Sequence, residues 1–206
     1  MRLVLLGPPG AGKGTQASAL AARFGVPHVS TGDILRENVS GGTELGREAQ
    51  AFMDRGDLVP DDLVNRMVAD RLAHADAAAG FLLDGYPRTV PQALVLEELL
   101  AGREEPLDGV LRFVVDLSEL LQRLSARREI EGRADDSEEA VRRRFEEYRA
   151  KTRPLEDFYA ERGLLREVDA VGAVQEVTER AIAAVDGHHG ADMQGRATGR
   201  GRSDVT

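Results

Sequence analysis

The chain begins MRLVLLGPPGAGKGTQ, and residues 7–13 of it read G-x-x-x-x-G-K. That spacing leaves few folds open. Glycines let the backbone close so tightly that successive N–H groups converge on one anion, and a helix starting at the lysine points its positive end at the same place. Such a loop works only between a buried strand and a helix. Both neighbours fit. Leu3, Val4, Leu5 and Leu6 form a short apolar run, and Ala17, Leu20, Ala21 and Phe24 recur at helical spacing before a stop at Gly25. The rival dinucleotide pattern G-x-G-x-x-G fails, because after Gly10 and Gly12 its third glycine falls on Thr15. The expected ligand is therefore a nucleoside triphosphate. One departure stands out: the residue after the lysine, which ordinarily lends a hydroxyl to Mg²⁺, is Gly14, and the hydroxyl comes one place later at Thr15.

Composition narrows the setting. With 206 residues and 42% hydrophobic content, the chain has apolar material for one domain with small inserts. A formal charge of -9 argues against a general nucleic-acid or membrane-surface binder. The absence of cysteine removes disulfides and Cys-ligated zinc. Arg2, the apolar run and the small residues near 19–22 loosely resemble a signal peptide, but four apolar residues fall short of the roughly 7–15 of a signal core. No run approaches a membrane span, so a cytoplasmic protein is expected. Of 27 basic residues only Lys13 and Lys151 are lysines. A chain that otherwise uses arginine has placed one of its two lysines in the glycine loop, where a compact ammonium fits between phosphates as a planar guanidinium does not.

Along the chain, strand and helix patterns alternate. Apolar runs at 2–6, 27–29, 81–84, 110–115 and 164–168 read as strands, with helical patterns between them. Ser30, Thr31 and Asp33 offer helix caps, Gly41-Gly42 a break and Gly56 a stop. Leu45, Ala49, Phe52 and Met53 mark a helical face before that stop, and Pro60 with Asp61 and Asp62 starts another helix, its acids favouring the positive dipole end. A helix is expected from Leu117 to about Arg127, then an irregular stretch over 129–135. Asp136 and Glu139 have capping-box spacing and open a long helix that Pro154 kinks. The last helix is expected over 174–185. Such alternation predicts a parallel sheet covered on both faces. Residues 186–206 hold five glycines and little apolar material, so disorder is expected there; His188-His189 within it read as solvated rather than as metal ligands.

A triphosphate site needs a carboxylate near the metal at the end of a neighbouring strand. Asp84, closing Phe81-Leu82-Leu83, is the candidate, with a plain turn as the alternative. With no hydroxyl at Gly14, Mg²⁺ is expected on nucleotide oxygens and waters, Asp84 and Asp33 touching it only through those waters. An alcohol acceptor would call for a positioned base. Outside the tail the histidines are His28 and His74. His28, in a short strand, reads as a satisfied structural residue, and His74 as exposed. What the chain offers in quantity is arginine: Arg36, Arg88, Arg123, Arg127, Arg133 and Arg144 near the motifs, with Arg142, Arg143 and Arg149 read as a solvated face. Many cations and no obvious base imply an acceptor carrying its own negative charge, such as a phosphate oxygen. Catalysis then reduces to positioning, water exclusion and charge stabilisation.

GPPGAGKGTQ, STGD with Leu35-Arg36, FLLDGYPRT with Gln92, and GRADD followed by Arg144 together resemble adenylate kinases over residues 1 to about 185. The resemblance implies a three-layer α/β P-loop kinase fold with a central five-stranded parallel sheet. It implies a core of 1–29, 60–126 and 134–185, an AMP-binding helical insert at 30–59 and a short lid at 127–133, too short for the zinc knot of some bacterial relatives. It implies the reaction MgATP + AMP ⇌ 2 ADP in a monomer. Gly10, Ala11, Gly12, Lys13, Gly14, Thr15, Arg127 and Gly172 would bind ATP. Thr31, Arg36, Asp57, Leu58, Val59, Gly85, Tyr86, Pro87, Arg88 and Gln92 would form the AMP site. Arg133 and Arg144 would reach phosphates on closure, and Lys13, Arg88, Arg123, Arg133 and Arg144 would serve catalysis. Thr31 and Gln92 are the AMP-selecting choices by that resemblance. Closure is expected to rest more on the insert than on so short a lid. Two other readings stay open: a kinase for UMP, CMP or a small alcohol, and a non-catalytic nucleotide-binding switch.

Overall fold

The computed structural model describes residues 1–55, 57–131 and 138–197, apart from the side chains of 127–131, 138 and 188–197. Gly56, Arg133 and Asp136, and the side chains of Arg127, His188 and His189, lie outside the described residues.

β1 (Arg2–Leu6), β2 (His28–Ser30), β3 (Phe81–Asp84), β4 (Gly109–Val114) and β5 (Leu165–Asp169) form one parallel sheet in the order β2-β3-β1-β4-β5. β1 is central, Leu3 pairing with Leu82 on one side and Gly109 on the other. Because both faces are covered, β1 reads as an unbroken apolar run, and strand alternation divides it between two cores. Val4, Leu6, Phe81, Leu83 and Val110 face one core with Leu96, Leu155 and Tyr159. Leu3, Leu5, Leu82, Leu111 and Phe113 face the other with Ala17, Leu20, Leu120 and Ala181. α1 (Lys13–Phe24), α6 (Leu117–Glu131) and α9 (Val174–Ala197) thus cover the second face, and α4 (Asp61–Leu72), α5 (Val90–Ala101) and α8 (Pro154–Glu161) the first. The chain steps from β1 to β2 and β3 on one side, then to β4 and β5 on the other. That reversal opens a crevice at the carboxyl ends of the central strands.

The insert is a helix pair, α2 (Thr31–Ser40) and α3 (Glu44–Arg55). α2 starts where Ser30 Oγ accepts the Asp33 N–H at 3.2 Å. α3 can cross α2 closely because residue 46 is glycine: an added Cβ would stand 2.1 Å from the Asn38 carbonyl oxygen.

Three expectations give way. α6 runs to Glu131, so residues 129–131 are helical rather than irregular. The helix expected to bend at Pro154 is instead two helices, α7 (Glu138–Glu147) and α8, joined by a π-helical turn over Tyr148–Thr152. Proline has no N–H for the usual ladder; the chain takes one wide turn before it, Arg153 N–H reaching Tyr148 O at 2.8 Å. Finally, α9 continues to Ala197, past its expected end at Val185 and into the stretch whose composition suggests disorder. Its later residues include the good helix formers Ala191, Met193, Gln194 and Ala197.

Candidate active site

The crevice is a cavity of about 630 Å³ lined by Gly7, Gly10, Gly12, Lys13, Gly14 and Thr15 on one side and by Asp33, Arg36, Arg88 and Arg144 on the other. A narrower recess of about 80 Å³ shares Arg36, Leu58, Gly85, Arg88 and Arg144 with it and adds Thr31, Asp57, Val59 and Gln92. The two recesses adjoin along these shared residues.

On the loop side the geometry is backbone geometry. Gly10 and Gly12 take φ of 85° and 82°, the left-handed region where an L side chain is strained. An added Cβ at Gly10 would press on the Leu124 side chain at 3.0 Å and the Leu120 carbonyl at 3.1 Å. Gly12 caps α1 with no side-chain bond, so the first-turn amides have no side-chain acceptor from the cap. Lys13 Nζ donates to the carbonyls of Gly7 (2.7 Å) and Pro8 (3.0 Å), which holds the ammonium over its own loop.

Asp84 ends β3 beside this loop, its Oδ2 3.6 Å from where a Cβ on Gly14 would lie. The place of the missing hydroxyl and the carboxylate are therefore neighbours. Burial works against ionising Asp84, but the nearby His28 imidazole, the Lys13 ammonium and the Arg88 guanidinium prevail, and its carboxyl lies below the usual carboxylate range. His28 corrects an expectation: its buried Nε2 has no hydrogen-bond partner and stands 3.6 Å from Asp84 Oδ2, so it faces the site's carboxylate instead of being satisfied in the core. Asp33 also lies low: burial raises it, but the Arg36 guanidinium and the Ser30 hydroxyl lower it further.

The facing wall is made of side chains held by neighbours. Arg36 bonds Asp33 and lies against Gly32, whose added Cβ would be 3.1 Å from Nη1. Arg88 Nε donates to Gly85 O at 2.8 Å, and the Thr31 hydroxyl donates to the same carbonyl at 2.9 Å. Gly85, at φ 81°, leaves no room for a Cβ, which would meet Thr31 Oγ1 at 2.8 Å. Arg123 donates to Glu119 (2.9 Å) and to the Ala170 carbonyl (2.9 Å), reaching from α6 across the cavity rim to the loop after β5.

Of the residues singled out from sequence, three stand apart from the cavity. Ala11 is 1% exposed and packs inward. Tyr86 is also 1% exposed; its hydroxyl donates to Asn65 and lies 3.1 Å from the Gln92 carbonyl, so it supports the wall from behind while Pro87 lines it. Gly172, at φ 116°, sits in the loop after β5 against Glu176 and Arg180. Arg142 and Arg149 are exposed as expected, but Arg143 is not merely solvated: its Nε lies 2.6 Å from Asp57 Oδ1 and ties α7 to the end of the insert.

Sequence reasoning missed the residues behind the wall. Asp61, read only as a helix-dipole acid, accepts from Thr89 Oγ1 (2.7 Å) and Gln92 Nε2 (2.8 Å). Thr152, buried in the π-helical turn, donates to the Arg88 carbonyl at 2.9 Å. Neither carries a local signal, because each contact joins residues far apart in the chain.

A glycine loop facing an arginine wall across one cleft is the arrangement of a P-loop phosphotransferase. Residues 5–164 match the family model described as adenylate kinase. The chain is 60% identical over 185 residues to an adenylate kinase of Thermobifida fusca, covering 90% of this chain and 98% of that protein. It is 55% identical to one of Clavibacter michiganensis (90% and 93% covered) and 51% identical to one of Stenotrophomonas maltophilia (91% and 100% covered). The chain belongs to the adenylate kinase family.

Proposed function

We propose that the chain catalyses MgATP + AMP ⇌ 2 ADP by direct in-line transfer, with no phospho-enzyme, and that the residues divide as follows. The amides of residues 10–15 and the Lys13 ammonium hold the ATP phosphates and follow the moving phosphoryl group. Arg36 and Arg88 hold the AMP phosphate, with Thr31, Asp57, Leu58, Val59, Gly85, Pro87 and Gln92 around the nucleoside. Arg123 and Arg144 add charge over the junction, joined on closure by Arg127 and Arg133. The observation that carries the reading is that the two anion walls adjoin across one cleft. Among the described side chains near the cavity, arginines outnumber any base, so rate enhancement rests on alignment and on donors for the developing charge.

The donor set fits a magnesium ion that arrives with ATP. Asp84 is an ionised, partly buried carboxylate beside the loop, and Gly14 leaves space between the two. Asp84, with Asp33, would hold the ion through waters, and the ion would supply charge neutralisation at the phosphates. No group of three or more ligating side chains among the described residues forms a dedicated metal site.

Within this reading residues 1–185 form the kinase domain, with 30–59 the moving insert, 127–133 a minimal lid, and 186–206 a tail outside the catalytic unit. A monomer in the cytoplasm fits the composition; among the described residues no helix is long and apolar enough to cross a membrane. The test mixes purified protein with MgATP and each nucleoside monophosphate and quantifies the diphosphates. AMP should be the preferred acceptor. Arg88→Ala should cut transfer to AMP by about 10²–10³-fold while MgATP binding, read by calorimetry, stays near normal; near-normal turnover in that variant would remove the acceptor-site assignment.

A further inference from the structure

Gln92 faces the recess assigned above to the AMP nucleoside, yet both ends of its amide are already engaged on the protein side. Its Oε1 accepts the Arg88 backbone N–H at 2.7 Å, and its Nε2 donates to Asp61 Oδ1 at 2.8 Å. The two partners allow one orientation only. A backbone N–H can only donate, and an ionised carboxylate can only accept. Flipping the amide would set N–H against N–H and oxygen against carboxylate in a site where Gln92 is 2% exposed. Asp61 is itself held: its Oδ2 accepts from Thr89 Oγ1, and that hydroxyl in turn accepts the Gln92 backbone N–H at 3.2 Å as the cap of α5. The side-chain amide, the α5 cap and the first turn of α4 thus form one closed circuit.

We infer that Asp61 is a positioning residue for purine selection: it locks the Gln92 amide so that a spare oxygen lone pair and a spare N–H meet the base in a fixed order. This rests on the AMP-site reading. An adenine offers an amino donor beside a ring-nitrogen acceptor, which matches that order. A 6-oxopurine offers an oxygen acceptor beside an N1–H donor, the reverse pattern at nearly the same size. A freely turning amide would serve both bases; a locked one serves only the first. Discrimination of this kind arises from leaving buried polar groups unpaired with the wrong base.

The test compares kcat/KM for AMP and for inosine monophosphate, with MgATP as donor, in the wild type, Asp61→Asn and Asp61→Glu. The amide introduced by Asp61→Asn can offer an N–H or an oxygen, so one of the two fixed partners is lost and the Arg88 N–H alone opposes a flip of Gln92; the AMP-to-IMP ratio should drop about 10-fold. Asp61→Glu keeps a carboxylate acceptor and should recover most of the ratio. A ratio unchanged in Asp61→Asn overturns the inference, whatever happens to stability or absolute rate. If that variant does not fold, the wild type decides alone: a preference for AMP over IMP below about 10-fold overturns the lock, and one of about 10-fold or more sustains it. Failure of the underlying site reading looks different, since AMP turnover would then survive Arg88→Ala.

Discussion

On the proposed reading, the two walls of the cleft bind the same chemical group by opposite means. The loop wall uses main chain: consecutive residues, glycines at positive φ, and one lysine held on its own loop's carbonyls. The arginine wall uses side chains from separate elements, each fixed by hydrogen bonds: Arg88 to the Gly85 carbonyl and Arg36 to Asp33, both three residues back, and the Arg88 backbone by nearby Gln92 and distant Thr152. A main-chain site fails through sterics, all at once. A side-chain site loses one contact at a time and can be retuned for a different monophosphate without touching the loop.

The largest expected effect follows from that contrast. Gly10→Val places a β-branched residue at φ 85° against Leu124 and the Leu120 carbonyl. The left-handed backbone and the overpacking together should cost about 2–4 kcal/mol in urea unfolding, and MgATP binding should vanish. Retained binding would mean that the loop relaxes more freely than its packing against α6 implies. Gly46→Ala attacks the other wall from a distance. The new methyl would sit 2.1 Å from the Asn38 carbonyl, so α2 and α3 must part, at a cost of about 1–3 kcal/mol. KM for AMP should rise several-fold with KM for MgATP unchanged; an equal rise in both would show that the walls are not independent.

The same contrast decides what could be read in advance. The loop is contiguous, so its glycine spacing, the strand before it and the helix after it are all local signals, and the five strands follow from apolar runs between helical patterns. The arginines of the second wall are visible as residues in motifs. Their supports are not. Asp61 looks like any acid in a first helical turn, Thr152 like any polar residue before a proline, and Gly46 like a flaw in a helix; each acquires meaning only when a segment distant in sequence comes to lie against it. The π-helical turn is a related case. Pro154 announces a break in helix geometry, but whether the chain kinks or widens depends on what it must reach, here the Arg88 carbonyl. Tyr86 shows the converse: its motif places it at the site, while its ring is committed to the core behind it.

The smallest expected effect concerns the one described ion pair that ties the insert to α7. Asp57 lies between Arg55 (2.8 Å) and Arg143 (2.6 Å). The Arg55 hydrogen bond, joined by the Arg143 charge, holds its carboxyl below the ordinary 3.8 against the opposing desolvation. A depressed carboxylate pKa contributes stability that is fully present above the unfolded value and is lost as pH falls through the folded one. Between about pH 5 and 8 the pair should therefore show no pH dependence, and its signature should be salt. Both partners are solvent-accessible, so a double-mutant cycle of Asp57→Asn and Arg143→Gln should give a coupling of only about 0.2–1 kcal/mol, shrinking toward zero in about 1 M salt. If the pair matters to the arginine wall, the coupling should register in KM for AMP and not in KM for MgATP. A coupling of the same size in both would make the bridge a clamp on the whole cleft, and the division between the two walls would have to be drawn elsewhere.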